Sequence, residues 1–252
     1  MDFIKVDAGN IESEHVCCAI SDKKGECGVA CKKAWLKENF AHGLVFEKLD
    51  VRGKVFIEYL PAEKAWCPIT APGYFYIDCF WVSGQYKGKG YGKALLARCI
   101  EAARAEGKQG LVVLSSKKKL PFLSDPGFLK KNGFLVADTA APSYELLYLP
   151  LLPGASAPKF LAQAKEGKTG EMGLVLYYTH QCPHTSKYAP LVEEAAVRHD
   201  LPVTLHLLES AGQAQGAPAP FTTYSLFYNG ALVASEILSE KKLEQLLVKL
   251  VG

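Results

Sequence analysis

Apolar and polar positions along the chain follow two spacings, and the changes from one to the other mark the elements. Phe3–Val6 reads as a short strand. Glu12–Ile20 and Val29–Phe40 carry helical spacing; the second sets Ala30, Ala34 and Trp35 on one side and Lys32, Lys33 and Lys37 on the other. Leu44–Leu49 and Lys54–Tyr59 are apolar-rich strands about Asp50-Val51-Arg52-Gly53, a predicted hairpin. Tyr74–Val82 is apolar on both faces except at Asp78, the pattern of a central strand. Tyr91–Glu106 sets Ala94, Leu95, Ile100 and Ala103 on the inner face of a helix. Leu111–Ser115 reads as a buried strand, and Pro126–Lys131 as a short helix closed by Asn132-Gly133. Phe134–Val136 and Tyr144–Leu149 complete this part as two strands.

Three prolines and a glycine then fall between Leu149 and Pro158, a composition that marks a linker or domain edge. Two domains are expected, 1–150 and a smaller 151–252. In the second, Pro158–Lys165 reads as helix, Leu174–Tyr178 as strand, Tyr188–Arg198 as helix and Val203–Leu208 as strand. A loop rich in Gly, Ala and Pro follows. Ser225–Tyr228 and Ala231–Val233 flank Asn229-Gly230, a strong hairpin signal, and Leu243–Leu250 ends the chain as helix. The fold class is α/β (α+β).

Of 252 residues, 49% are apolar and 22% charged, which excludes a disordered chain. No apolar run approaches the ~18 residues of a membrane span, and Met1–Lys5 lacks a signal-peptide start. A cytoplasmic protein with no membrane partner is expected. Residues 1–152 hold 21 basic and 17 acidic side chains, residues 153–252 hold 8 and 9. That mild basic bias suits a phosphate-bearing ligand and is too weak for nucleic acid. The eight cysteines include no CxxC pair, so they read as reduced thiols. Cys27-x3-Cys31 near His15 lacks a second pair of ligands, and no metal is expected. Cys79 and Cys99 read as small buried hydrophobes.

Chemistry concentrates in Val82-Ser83-Gly84-Gln85-Tyr86-Lys87-Gly88-Lys89-Gly90-Tyr91-Gly92-Lys93. Here an apolar strand runs through a glycine-rich turn onto a helix. Such a turn aims unpaired N–H groups and the positive end of the helix dipole at phosphate oxygens. Lys87, Lys89 and Lys93 add charge for a diphosphate. The spacing fails GxxxxGK[ST] by one residue, and GxGxxG because the glycines stand two apart. It closely resembles the acetyl-CoA loop of GNAT-type N-acetyltransferases, [Gln/Arg]-x-x-Gly-x-[Gly/Ala], with Lys87 at the first position.

The resemblance covers about residues 3–150 and implies a GNAT fold with a mixed central sheet. It implies acetyl-CoA as co-substrate, with amides from Gly88 through Tyr91 to Gly92 holding the diphosphate. Phe80, Trp81 and Val82 would line the pantetheine arm, Phe80 and Val82 through main-chain groups. Downstream, Phe128, Gly133 and Phe134 match the family's later motif. Leu129 stands where the family often has a Tyr acid and Phe122 where it has Asn, so the proton donor is left unassigned.

An amine must lose its proton before it attacks a thioester. Asp78, the lone charge in its strand and on the face of Phe80 by simple alternation, is one candidate base; Glu58 on the neighbouring strand is the other. Asp78 could equally be a paired structural carboxylate at the edge of the core. His15 and His42 read as polar surface. Trp66, Tyr74 and Tyr76 form a candidate wall of the acceptor pocket or part of the core. The acceptor is a small-molecule or peptide amine, and a homodimer is allowed.

His180-Gln181-Cys182-Pro183-His184-Thr185 lies between a strand and a helix and resembles the active-site turn of thioredoxin-like folds in a one-cysteine form. The helix dipole there would lower the Cys182 thiol pKa. Pro220 would stand as that fold's cis-proline. Thr185 replaces a resolving cysteine, which excludes an internal disulfide; His180, Cys182 and His184 as metal ligands are the lesser alternative. The two halves together resemble bacterial GNAT proteins with a YoaP-like C-terminal region. The expected function is acetyl transfer to an amine by direct attack in a ternary complex. A non-catalytic CoA-binding or thiol-sensing module using Cys182 is the alternative.

Overall fold

The computed structural model describes residues 2–251. The first part runs β1 (Phe3–Val6), α1 (Gly28–Phe40), β2 (Val45–Leu49), β3 (Val55–Pro61), β4 (Ile69–Thr70), β5 (Tyr74–Val82), α2 (Tyr91–Ala105), β6 (Gly110–Ser116), α3 (Pro126–Lys131), β7 (Leu135–Ala140) and β8 (Tyr144–Pro150). The second runs β9 (Lys159–Phe160), α4 (Ala162–Lys165), β10 (Leu174–Tyr178), α5 (Thr185–Tyr188), α6 (Pro190–Arg198), β11 (Val203–Leu207), α7 (Ala211–Gln215), β12 (Tyr224–Tyr228), β13 (Ala231–Ala234) and α8 (Glu240–Val251).

Seven strands form one mixed sheet in the order β1-β2-β3-β5-β6-β8-β7. Every pair is antiparallel except β5 with β6. That parallel pair holds only from Tyr74↔Gly110 to Ile77↔Val113. Beyond Ile77, β5 continues to Val82 along β3 alone. The two central strands splay, and the β6-facing backbone edge of residues 78–82 is left without a strand partner.

α2 and α3 cover one face of this sheet. Leu95, Leu96, Cys99 and Ala103 of α2 pack there with Ile57, Phe75, Ile77 and Leu111. The other face carries α1 and the whole second part. Trp35, Phe46, Phe56, Tyr74 and Tyr76 share a continuous core with Leu174, Leu176, Val192, Leu226 and Leu247. The second sheet has the order β11-β10-β12-β13, with β10 and β11 parallel and the other pairs antiparallel. A short ribbon, β4 with β9, ties the halves further.

Three expected elements differ. Glu12–Ile20 is turn and irregular chain, because Val16 and Cys17 both bury and Cys17 takes φ 55°, which a helix cannot. Pro158–Lys165 is mostly extended, since Lys159–Phe160 pairs with β4 before the single turn of α4. In α1 the buried side is Val29, Lys32, Trp35, Leu36 and Asn39, whereas Ala30 and Ala34 face solvent. Among the described residues the one cis peptide is Ala141–Pro142, so Pro220 is trans and does not fill the cis-proline role. Among the described residues no helix is long and apolar enough to cross a membrane.

Candidate active site

The turn after β5 leads onto α2 as its glycines require. Gly88 and Gly90 take φ 76° and 84°, the left-handed region that disfavours side chains, and nothing stands within 4 Å of where their Cβ atoms would be. Gly90 caps α2 with no side-chain hydrogen bond to the first amides, and the first capping-turn bond is Ala94 N–H to Gly90 O, 3.0 Å. The helix therefore opens on Tyr91, Gly92 and Lys93 with its N–H groups turned to open space. Lys87, Lys89 and Lys93 are exposed, and none makes an ion pair among the described residues. The loop and the free edge of Phe80–Val82 are continuous, a positively charged end leading into the gap between β5 and β6.

On the opposite face of that gap lies a cavity of about 330 Å³ between the two halves of the chain. Asp78, Cys79 and Trp81 of β5 form one side, Phe122 and Leu123 another, and Gln181, Cys182 and His184 the wall given by the second half. Trp66 and Tyr76 line it as expected. Tyr74 does not: its hydroxyl donates to Ser156 O at 2.9 Å in the core below. His15, bonded through Nε2 to Gly53 O at 2.9 Å, lies outside it.

Asp78 reaches this cavity through a β-bulge. Glu58 pairs with Cys79 and Tyr59 with Ile77, so Asp78 is the extra residue and the alternation of β5 reverses there. Simple alternation had put Asp78 on the face of Phe80; the bulge turns it to the face of Tyr76, Cys79 and Trp81, while Phe80 packs toward α2 and α3 and meets the Phe128 ring at 5.4 Å. Asp78 Oδ1 accepts a 2.6 Å hydrogen bond from Gln181 Nε2. Gln181 Oε1 in turn accepts from Thr179 Oγ1 at 2.7 Å, which fixes the amide orientation. A side chain 103 positions away thus aims the carboxylate.

Glu58 stands behind this pair, fully buried, with Oε1 accepting from Lys32 Nζ at 2.8 Å. Lys32 is itself fully buried, contrary to its expected solvent position. Burial pushes the Glu58 carboxyl up to about 8, opposed by the Lys32 charge and reinforced by that of Asp78. Burial draws Lys32 down, but the charges of Glu58 and Asp78 outweigh it and its pKa rises. Glu58 Oε2 has no hydrogen-bond partner. A proton held there removes the cost of an unpaired buried charge.

Four cysteines, Cys17, Cys18, Cys79 and Cys182, meet around the cavity. Burial raises the pKa of each, that of Cys182 to about 12. The dipole-lowered thiol expected at Cys182 is not found, because α5 is only four residues long and starts at Thr185, leaving desolvation to dominate. Leu129 is buried between α3 and the sheet and faces no cavity. Lys32, Lys54, Gln181 and the Cys17-Cys18 pair escaped the sequence reading. Gln181 sat inside the turn already singled out, but nothing local joined it to Asp78.

Two family models match the chain: the acetyltransferase (GNAT) family over residues 12–123 and the YoaP-like family over residues 202–245. A Bacillus subtilis (strain 168) protein called "Uncharacterized N-acetyltransferase YoaP" is 44% identical over 247 residues, 98% of each chain. Among solved structures, the PaiA N-acetyltransferase of Thermoplasma acidophilum in complex with coenzyme A is 16% identical, over 60% of this chain and 99% of that one, with a TM-score of 0.41. Ard1 from Thermoplasma volcanium is 14% identical, over 60% and 97%, with a TM-score of 0.40.

Proposed function

The chain belongs to the GNAT family of N-acetyltransferases and ends in a YoaP-like region, and from that premise we propose that it moves acetyl from acetyl-CoA to an amine by direct attack in a ternary complex. The observation that carries this reading is the splay of β5 from β6 between the cationic loop and the cavity. The diphosphate rests on amides from Gly88 to Gly92 and the first turn of α2, with Lys87, Lys89 and Lys93 around it. The pantetheine arm follows the free edge of Phe80, Trp81 and Val82 and brings the thioester to Asp78.

The acceptor enters from the composite cavity. Its ammonium loses one proton to the Asp78 carboxylate, and the neutral nitrogen attacks the acetyl carbon. As the C–S bond breaks, the second proton of that nitrogen passes to the departing sulfur, giving the amide and CoA thiol. No separate acid is required, which accommodates Leu129. Gln181 is a positioning residue for Asp78, and the Lys32–Glu58 pair sets the charge behind it. Direct attack is favoured over an acyl-cysteine route because burial keeps the four cavity thiols protonated near neutrality. The same burial weighs against a Cys182 thiol sensor. The second part of the chain, with its strand order and its Cys-Pro-His-Thr turn, is read as a thioredoxin-like unit built into the wall of the site.

Calorimetric titration with acetyl-CoA tests the cofactor site. Gly90→Glu places an anion at the helix entrance and should abolish binding. Gly90→Ala carries the same left-handed strain without charge and should weaken it far less. An intact, folded protein that does not bind acetyl-CoA overturns the reading.

A further inference from the structure

We infer that the acceptor is a small zwitterionic amino acid with an apolar side chain, its ammonium on Asp78 and its carboxylate on Lys54. This rests on the acetyl-transfer reading above and adds the acceptor's chemical class to it. A carboxylate and an ammonium line the cavity, Asp78 and Lys54, and neither makes an ion pair among the described residues, although the Lys32 charge acts on Asp78 from behind the wall. Asp78 is met by the neutral amide of Gln181. Lys54 makes no ion pair and no side-chain hydrogen bond among the described residues, although it is half-buried. Lys48, on the neighbouring strand, is by contrast paired with Glu14 at 2.7 Å.

The spacing suits one compact molecule. Lys54 precedes β3, and its carbonyl accepts from Ser83 N–H at 3.0 Å, which places it beside the end of β5. Glu58, behind Asp78, is four residues farther along the same face, about 13 Å at ~3.3 Å per residue. A lysine side chain spans roughly half of that. What remains holds an ammonium and a carboxylate carried on one carbon, with a hydrogen bond at each end. The other walls are largely apolar, with Trp66, Trp81, Phe122, Phe221 and the thiols, and Ser124, His184, Thr222 and Thr223 as polar exceptions, a surface that suits an apolar side chain. A cavity of about 330 Å³, at the small end of ligand sites, suits a compact acceptor. A peptide N-terminus bears an ammonium but no carboxylate beside it, and leaves Lys54 unpaired.

The test uses the full chain with acetyl-CoA and three acceptors of one shape: phenylalanine, phenylalaninamide and phenylethylamine. CoA thiol release measures turnover, and calorimetry in the presence of CoA measures acceptor binding. Phenylalanine should exceed both others in kcat/KM by about tenfold or more, the scale of one charge-assisted bond. Lys54→Met should reduce that ratio toward one, and circular dichroism verifies its fold. A ratio near one in the unchanged protein, a ratio that survives Lys54→Met, or amino acids that neither bind nor react would each overturn the inference. Such outcomes alongside normal acetyl-CoA binding leave the acetyl-transfer reading standing; loss of acetyl-CoA binding itself would remove both.

Discussion

Lys32 and Glu58 form an ion pair with no solvent exposure at either end, and the two members should not be equally dispensable. Glu58→Gln leaves an ammonium in the core with Asp78 as its remaining negative neighbour. With the Glu58 carboxyl already protonated at pH 6, Gln is its neutral counterpart and should cost little there, its amide oxygen accepting from Lys32 Nζ in place of the carboxyl. Lys32→Met leaves a carboxyl that can take a proton, and at pH 6 Glu58, with its pKa near 8, already holds one. Loss of Lys32 removes the charged donor of that bond and should cost about 1–3 kcal/mol. The pH dependence follows from the raised carboxyl. The folded state binds more protons than the unfolded between 4.5 and about 8, so this group's stability contribution is complete below 4.5 and is lost as pH rises toward 8. At ~1.4 kcal/mol per unit the total reaches about 5 kcal/mol. Lys32, with its pKa raised, adds no slope below its ordinary range. Urea unfolding of the three proteins at pH 5, 6, 7 and 8 measures these differences. The unmodified protein should be close to Glu58→Gln in stability at pH 5 and fall steadily below it as pH rises toward 8, and Glu58→Gln should be the milder lesion at pH 6. A pH-independent gap, or a Glu58→Gln loss of about 3 kcal/mol or more at pH 6, would refute the proton on Glu58.

Gln181→Leu removes the 2.6 Å bond to Asp78 and should lower kcat about 10- to 100-fold, by the ~1.5–3 kcal/mol of a hydrogen bond to a charged group, while the acetyl-CoA dissociation constant stays the same. Equal losses in both would instead mean that the halves have come apart. Brief iodoacetamide treatment at pH 7.5 followed by peptide mass spectrometry should label exposed Cys27 well before Cys182, whose thiolate fraction at a pKa near 12 is below about one in ten thousand. Cys182 labelled first would contradict the burial argument.

The order of elements from β2 to β8, apart from the two-residue β4, was legible because each is a short segment with one clear spacing and a turn signal at its end. The loop at Lys87–Lys93 was legible for a stronger reason: its glycines answer a backbone requirement, seen here as positive φ at Gly88 and Gly90. Asp78 stood out as one charge among apolar neighbours. Its direction did not, because a bulge is a property of the pairing between two strands and is invisible in either alone. Lys32 failed for a related reason: periodicity sorts residues by hydropathy, and a lysine buried to meet Glu58 has the hydropathy of a surface residue. Cys182 was read from position alone, and the short α5 leaves too little dipole to offset burial.

The second half of the chain is tied to chemistry as well as packing. In the proposed mechanism the splay of β5 from β6 lets a thioester through, and an opened sheet leaves apolar surface and a carboxylate exposed on its far side. A lone carboxylate there would be solvated and loosely aimed. The turn carrying Gln181 covers that surface, supplies the amide that orients Asp78, and borrows its own rigidity from Thr179, itself buried at the end of β10. Thr222, from the loop before β12, bonds Trp66 O and so joins the same wall to the loop that follows β3. Because these links connect residues more than a hundred positions apart, a truncation after Pro150 would remove a wall of the site together with part of the shared core. On the proposed mechanism, the first half alone would keep the loop for the diphosphate and lose the geometry that selects and deprotonates an acceptor.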